Sequence, residues 1–348
     1  MRSYFRSFVC LSAAGAILAA GLLSAPAQDP PKPDQAANQD QTIRVDVDLV
    51  NILFNVRAKK GGQLISTLEK NNFIITEDGK PQTVQRFTRE ADLPLTLGLL
   101  IDISGSQERL IETERQAAAQ FFSTVIRKKD EAFLISFGKN TELLQDYTNS
   151  PRQLSAALDD LRGDGQTPMM GRSPVPVNSG PIPQMGTPKG TLLYDAIYLA
   201  SHEKLKNEVG RKAMILITDG GDQGSTYTLR QAVEAAQRSD AIIYSIYYVD
   251  HSAYGGGRGF VMGGGDEGGL KKMSEETGGH VFSVSNKHPL TEIFQQIQDE
   301  LRNQYSIGYS STNANRDGSF RRIEIKTDSA DYKVQARNGY YATPNDAR

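Results

Sequence analysis

Five side chains in this 348-residue chain carry oxygen at places where a protein can hold a metal ion. Asp102, Ser104 and Ser106 alternate in Asp102-Ile-Ser104-Gly-Ser106, directly after an apolar run. Thr191, in Lys189-Gly-Thr-Leu-Leu-Tyr-Asp195, opens a helical stretch. Asp219 follows a second apolar run, in Leu216-Ile-Thr-Asp-Gly-Gly-Asp222. Two carboxylates and three hydroxyls make a hard, all-oxygen set. Mg²⁺ suits such a set, since it takes octahedral oxygen ligands at about 2.0–2.1 Å and usually keeps waters; Mn²⁺ and Ca²⁺ are the alternatives. With so few carboxylates the ion stays electrophilic, so an acidic group on a partner could complete its shell. Alone, each segment is more simply a turn or a helix cap. Their order, each at a strand or helix end, is what favours a metal site. Glycines at 105, 190 and 220 are expected to let the backbone turn tightly beside the ion.

The elements that must position these residues are legible as periodicities. Leu95-Thr-Leu-Gly-Leu-Leu-Ile101 is almost continuously apolar, the mark of a strand buried on both faces. Leu110, Ile111, Ala118, Phe121, Phe122 and Val125 then recur at helical spacing. Strands are predicted over Ala132–Phe137, Glu142–Tyr147, Ala213–Thr218, Ile242–Val249 and His280–Val284. Helices are predicted near Pro151–Leu161, around Leu193–Ala200, near Leu229–Arg238 and over Leu290–Leu301. This alternation predicts an α/β fold: a Rossmann-like, doubly wound, mostly parallel sheet with helices on both faces. The gap between Phe137 and Glu142 is too short for a crossover, so Glu142–Tyr147 should be an antiparallel edge strand. In such sheets ligands bind at the carboxyl ends of the strands, near the point where the strand order reverses.

On either side the period changes to two. Residues 43–91 alternate around the turn dipeptides Gly61-Gly62 and Asp78-Gly79, with a change of phase near Val50 that suggests a bulge or a strand that crosses faces. Residues 305–342 alternate around Asp317-Gly318. Neither segment is large enough for a good core by itself. The two are therefore expected to pair into one small β-sandwich with the α/β domain inserted between them. Gly163–Gly186, rich in Gly, Pro and Met, and Tyr254–Gly269, with two Gly triplets, are expected to be loops.

Asp-x-Ser-x-Ser, then a separate Thr, then an Asp after a hydrophobic strand, resembles the metal-ion-dependent adhesion site of von Willebrand factor A (VWA) domains. The resemblance covers about residues 93–304, and all five positions are filled. It implies a VWA fold in which Ser104, Ser106 and Thr191 would ligate Mg²⁺ directly or nearly so, with Asp102 and Asp219 direct or through water. It also implies an adhesion or binding role, coupled to a shift of the last helix. The flanks are similar to the VWFA-related Acidobacterial domain family, through Glu77-Asp-Gly-Lys-Pro-Gln82 and Arg337-Asn-Gly-Tyr-Tyr-Ala342. Gln107, where many relatives carry Met, and the long loop before Thr191 are departures from the pattern.

Composition narrows the rest. Thirty-nine basic and 41 acidic residues leave a formal charge of −2, so nothing favours nucleic acid or an anionic membrane as partner. Arg2 and Arg6, an apolar stretch from Phe8 to about Leu23 and a small-residue end at Ala27 predict an export signal over 1–27; an uncleaved anchor is the rival reading. A Pro-containing linker, 28–42, follows. The single cysteine, Cys10, lies inside the signal, leaving no cysteine for a disulfide or a thiolate metal site after cleavage. His202, His251, His280 and His288 are scattered and show no zinc spacing. Gly-x-Ser-x-Gly is absent, and Ser104 stands where a phosphotransfer enzyme would carry a second Asp. Arg162-Gly163-Asp164 is read as coincidence, the Tyr244–Tyr248 stretch as strand core, and Asp222, Asp266 and Glu267 as solvated loop charge. The sequence thus predicts an exported binding module, not an enzyme, that takes a protein or glycan offering an acidic group. An envelope scaffold with a structural VWA domain is the alternative, and a metal-dependent hydrolase ranks below both.

Overall fold

The computed structural model describes residues 49–89, 93–163, 175–176, 190–250 and 265–342. The signal, the linker, most of the Gly163–Gly186 loop, residues 254–264 and His251 lie outside them.

Val50, Ile52, Phe54 and Val56 alternate along β1 (Leu49–Ala58) and are all buried, so this strand shows one apolar face. Its pairing is regular over Leu49–Ala58, with no bulge among these described residues, and Leu49 is half-buried beside the buried Val50. β2 (Phe73–Glu77) and β3 (Lys80–Gln82) form a hairpin over Asp78-Gly79, whose φ values of 48° and 78° suit a two-residue turn. β4 (Arg86–Arg89) follows.

The α/β segment runs β5 (Leu95–Asp102), α1 (Ile111–Val125), β6 (Glu131–Phe137), β7 (Thr141–Thr148), α2 (Pro151–Asp159), β8 (Val175–Pro176), α3 (Leu193–Leu199), β9 (Arg211–Thr218), α4 (Leu229–Arg238), β10 (Ala241–Tyr247), α5 (Glu267–Thr277), β11 (Val281–Ser283) and α6 (Leu290–Arg302). Its sheet has the order β11-β10-β9-β5-β6-β7-β8. The first five are parallel, and β7 runs antiparallel to β6, as the short connection requires. The two-residue β8 pairs along part of the outer side of β7. Every residue of β5 and β9 is buried, which explains their unbroken apolar runs. Leu97, Leu99 and Ile101 face α1, α2 and α6 through Phe122, Leu154 and Phe294. On the opposite face Leu100, Phe133 and Ile135 pack with Leu193, Val233 and Met273 of α3, α4 and α5. The sheet is doubly wound.

Two features depart from the sequence reading. No helix is expected between 250 and 280, yet α5 is there. Its first turn holds Gly268 and Gly269, and of its buried residues only Leu270 and Met273 are large and apolar, beside Ser274 and Thr277, so periodicity is faint. Asp266 starts it by accepting a hydrogen bond from Gly269 N–H at 2.8 Å. Beyond Leu199 the chain widens into one π-helical stretch, Ala200–Leu205, which no residue pattern announces.

After α6 come β12 (Tyr305–Ser310), β13 (Phe320–Thr327), β14 (Tyr332–Ala336) and β15 (Gly339–Tyr341). They share two antiparallel sheets with the first four strands, in the orders β14-β1-β12-β4 and β15-β13-β2-β3. Phe54, Phe73, Tyr305, Ile307, Ile325 and Tyr340 fill the core between them. Polar contacts fasten these sheets to the α/β segment. Arg57 pairs with the fully buried Glu300 of α6, and Gln335 Nε2 donates to the same carboxylate at 3.3 Å. Arg337 pairs with Asp240, and Gln237 Nε2 donates to Asn338 Oδ1 at 2.9 Å.

Candidate functional site

β5 and β9 lie side by side where the strand order reverses, with Ile101 opposite Ile217. One step further, Thr218 Oγ1 donates to Asp102 Oδ2 at 2.6 Å. Asp102 Oδ1 accepts the Ser104 N–H at 2.9 Å, which folds the chain into a turn after the strand. Ser104 Oγ lies 3.2 Å from Ser106 Oγ, and Ser106 Oγ donates to Asp219 Oδ2 at 2.7 Å. Asp102, Ser104, Ser106 and Asp219 are thus one hydrogen-bonded chain across the carboxyl ends of two adjacent strands.

Thr191 arrives by a different route. The main chain at Thr191 forms a bridge with Gln223, whose N–H donates to Thr191 O at 2.8 Å. The segment after β9 is in turn stitched to the start of α3. Asp222 Oδ1 accepts from Tyr194 N–H at 3.2 Å, and Asp195 Oδ1 accepts from Thr226 and Tyr227 N–H at 2.7 and 2.9 Å. Thr191 does not cap α3, whose N-cap residue is Leu192. Its hydroxyl makes no hydrogen bond among the described residues, so it is not joined to the other four. That hydroxyl is uncommitted on a largely buried residue, 8% exposed.

The glycines at the site differ in necessity. Gly220 has a φ of 82°, and a Cβ there would meet Asp266 O at 2.6 Å. Gly105 has open space on the Cβ side, so the tight turn expected there needs no glycine. Gly220→Ala should therefore cost about 1–3 kcal/mol in thermal denaturation, whereas Gly105→Ala should change stability by less than about 0.5 kcal/mol. Equal effects would refute this assignment.

Burial dominates the electrostatics. Enclosure pushes the Asp102 carboxyl up to about 7; hydrogen bonds from Ser104 and Thr218 draw it down, and the charge of Asp219 raises it further. Asp222 is raised by partial burial, against its hydrogen bond from Ser225. Asp222 is thus a half-buried anchor of the loop rather than the solvated charge the sequence suggests, whereas Asp266 caps α5 and stays exposed. Thr218 is the partner the sequence reading left without a role. A Thr in a strand reads as an ordinary β residue, and only the β5–β9 register sets its hydroxyl against Asp102.

The donor set fits a small hard cation: it consists of carboxylate and hydroxyl oxygens. Among the described residues no group of three or more His, Cys, Asp or Glu side chains is gathered to hold a metal. The set here has only two such side chains and depends on its hydroxyls.

A doubly wound sheet with one antiparallel strand beyond β6, and a polar cluster at its switch point, defines a VWA-like fold. No family model and no curated protein matches the chain. Among solved structures it is similar to BatB from Bacteroides thetaiotaomicron, at 17% identity over 60% of this chain and all of that one, with a TM-score of 0.43. A von Willebrand factor type A protein from Catenulispora acidiphila matches at 11% identity over 85% of this chain and 73% of its own, TM-score 0.43. Proximal thread matrix protein 1 from the mussel byssus, with a zinc-occupied metal-ion-dependent adhesion site, matches at 14% identity and TM-score 0.44; the chain spans 48% of its length.

Proposed function

We propose that this chain is an exported binding module whose VWA-like segment holds a divalent cation, Mg²⁺ first, and through it engages an acidic group on a protein or glycan partner. Asp102, Ser104, Ser106, Thr191 and Asp219 would hold the ion, which would supply an electrophilic coordination position for the partner's oxygen. The observation that carries the reading is the hydrogen-bonded chain from Asp102 through Ser104 and Ser106 to Asp219, set at the sheet's switch point. The free hydroxyl of Thr191 supports it. Binding is favoured over catalysis because Asp102, Ser104, Ser106 and Asp219 are engaged with one another rather than poised as a proton acceptor beside a nucleophile. The same reading takes residues 1–27 as the export signal and the chain as a relative of the VWFA-related Acidobacterial proteins.

The cation itself is the first probe. In thermal melts of the mature protein, Mg²⁺ or Mn²⁺ at about a hundred times its Kd should stabilise by roughly 2.7 kcal/mol over EDTA. Asp102→Ala should abolish the shift, and Thr191→Ala should weaken the apparent affinity while leaving the EDTA melt unchanged. A wild type indifferent to every divalent cation, or a shift that survives Asp102→Ala, would remove the reading.

A further inference from the structure

Glu114 lies in the first turn of α1 with no solvent exposure, and neither of its carboxylate oxygens has a hydrogen-bond partner among the described residues. Gln107 is equally enclosed, and both ends of its amide also lack partners. The two belong together. Leu110 N–H donates to Gln107 O at 2.7 Å and Glu114 N–H donates to Leu110 O at 3.0 Å, so both side chains rise from one line of the turn leading into α1. Gln107 adjoins Ser106 in the chain, and Asp102 is the charged group that acts on Glu114 through space. Folds retain few enclosed polar atoms without partners, because each loses its hydration for nothing. Here four of them belong to the turn that runs from the candidate site into α1, where Gln107 N–H donates to Ser104 O at 2.8 Å.

We propose that Glu114, lined by Gln107, is a positioning residue of that site: a third, enclosed carboxylate that does not touch the cation but holds it from behind Asp102. The inference rests on the metal reading above. Attraction between a cation and a carboxylate enclosed in the same low-dielectric region is strong and little screened by salt. The amino-terminal end of α1 favours the negative form of a carboxyl in its first turn. Because Glu114 stands outside the ligand set, it raises affinity without occupying the position left for a partner's acidic group. A carboxylate buried for packing alone would have no such effect.

Calorimetric titration of Mg²⁺ into the full mature chain tests this, with wild type, Asp102→Ala and Glu114→Gln compared. Glu114→Gln should bind Mg²⁺ ten- to hundredfold more weakly, the usual loss when an outer partner of a metal site is removed. Its melting temperature in EDTA should equal or exceed that of wild type, because a buried, unpartnered carboxyl whose ionisation the fold opposes has gone. A purely structural residue would give the reverse: a lower melting temperature and unchanged affinity. Wild-type affinity in folded Glu114→Gln overturns the inference. Should that variant not fold, Glu114→Met, neutral and of similar size, provides the same readout. Mg²⁺ binding lost in Asp102→Ala but intact at position 114 removes this inference alone. A wild type that binds no Mg²⁺ removes the metal reading with it.

Discussion

Held in EDTA, the protein should melt at progressively lower temperature as pH rises from about 4 to 8, and Asp102→Asn should remove much of that slope. The Asp102 carboxyl is held at about 7 in the fold, above its ordinary value of 3.8, chiefly because it is fully buried. Between those two values the folded protein keeps a proton that the unfolded chain has released. A raised group of this kind contributes stability that is complete below the unfolded value and is lost as pH climbs through the folded one. Over the whole span the loss is on the order of 4 kcal/mol, about 6 °C for a chain of this size. Glu114 is also raised by burial, and Glu300 is raised to about 6, so both add slopes of the same sign, while His280, lowered to about 4 by burial, adds one of opposite sign between about 4 and 6.5. The difference between wild type and Asp102→Asn is therefore the quantity to measure. Asn preserves the local geometry: its oxygen can accept from Ser104 N–H, and its amide can donate to Thr218 Oγ1, which already accepts from Gly220 N–H at 3.0 Å. In EDTA at pH 8 the variant should be the more stable protein. On the proposed metal reading, Mg²⁺ should reverse that order, since a cation compensates the charge that burial opposes. Parallel pH profiles for the two proteins would sink the argument.

On the proposed reading, a buried carboxylate whose charge the fold resists is kept because a bound cation relieves that cost. That also explains which parts of the site the sequence exposes. Asp102, Ser104, Ser106 and Asp219 stand out because each follows an apolar run that must end at the rim of the sheet, where polar side chains have no packing role. Thr218, Gln107 and Glu114 stay hidden for the opposite reason. A Thr in a strand, a Gln in a turn and a Glu in the first turn of a helix are all unremarkable by type. Only the β5–β9 register and the packing of α1 show that the first is aimed at Asp102 and the other two are enclosed.

The fold divides in the same way. β5 and β9 are legible because a strand buried on both faces has no polar positions, and α6 because Leu290, Ile293, Phe294, Ile297 and Leu301 all point inward. α5 is hidden because its buried face carries only two large apolar side chains, Leu270 and Met273, beside a Gly pair, Ser274 and Thr277. The π-helical stretch after α3 shifts hydrogen bonds by one residue, which composition does not encode. The two flanking motifs have concrete causes. Asp78-Gly79 supplies the left-handed turn, while Arg337 and Asn338 reach the α/β segment at Asp240 and Gln237. Glu77 and Tyr340 meet directly, at 3.0 Å.

That meeting is the centre of a buried network, and breaking it should produce one of the largest stability losses available in this chain. Glu77, 2% exposed, accepts from Tyr309 and Tyr340 hydroxyls at 2.8 and 3.0 Å and from Ser311 Oγ at 2.5 Å. Arg321, 3% exposed, lies 3.3 Å from the same carboxylate. It also donates to Asn313 O at 2.8 Å and to Ser311 Oγ at 2.9 Å. Glu77→Ala removes the counter-charge and leaves Arg321 enclosed among neutral oxygens, with two phenols short of an acceptor. Loss of one member of a buried pair costs about 3–5 kcal/mol, here roughly 5–8 °C in melting temperature. The size reflects the stranded charge more than the worth of the pair, so replacing both partners should be milder. Glu77→Leu with Arg321→Met should regain a substantial part of the loss, since neither charge is then left alone. Gln237–Asn338 and Arg57–Glu300 tie these sheets to the α/β segment, so every variant should still melt in one transition. A double variant no more stable than Glu77→Ala would show that the network contributes through its hydrogen bonds rather than through its charges.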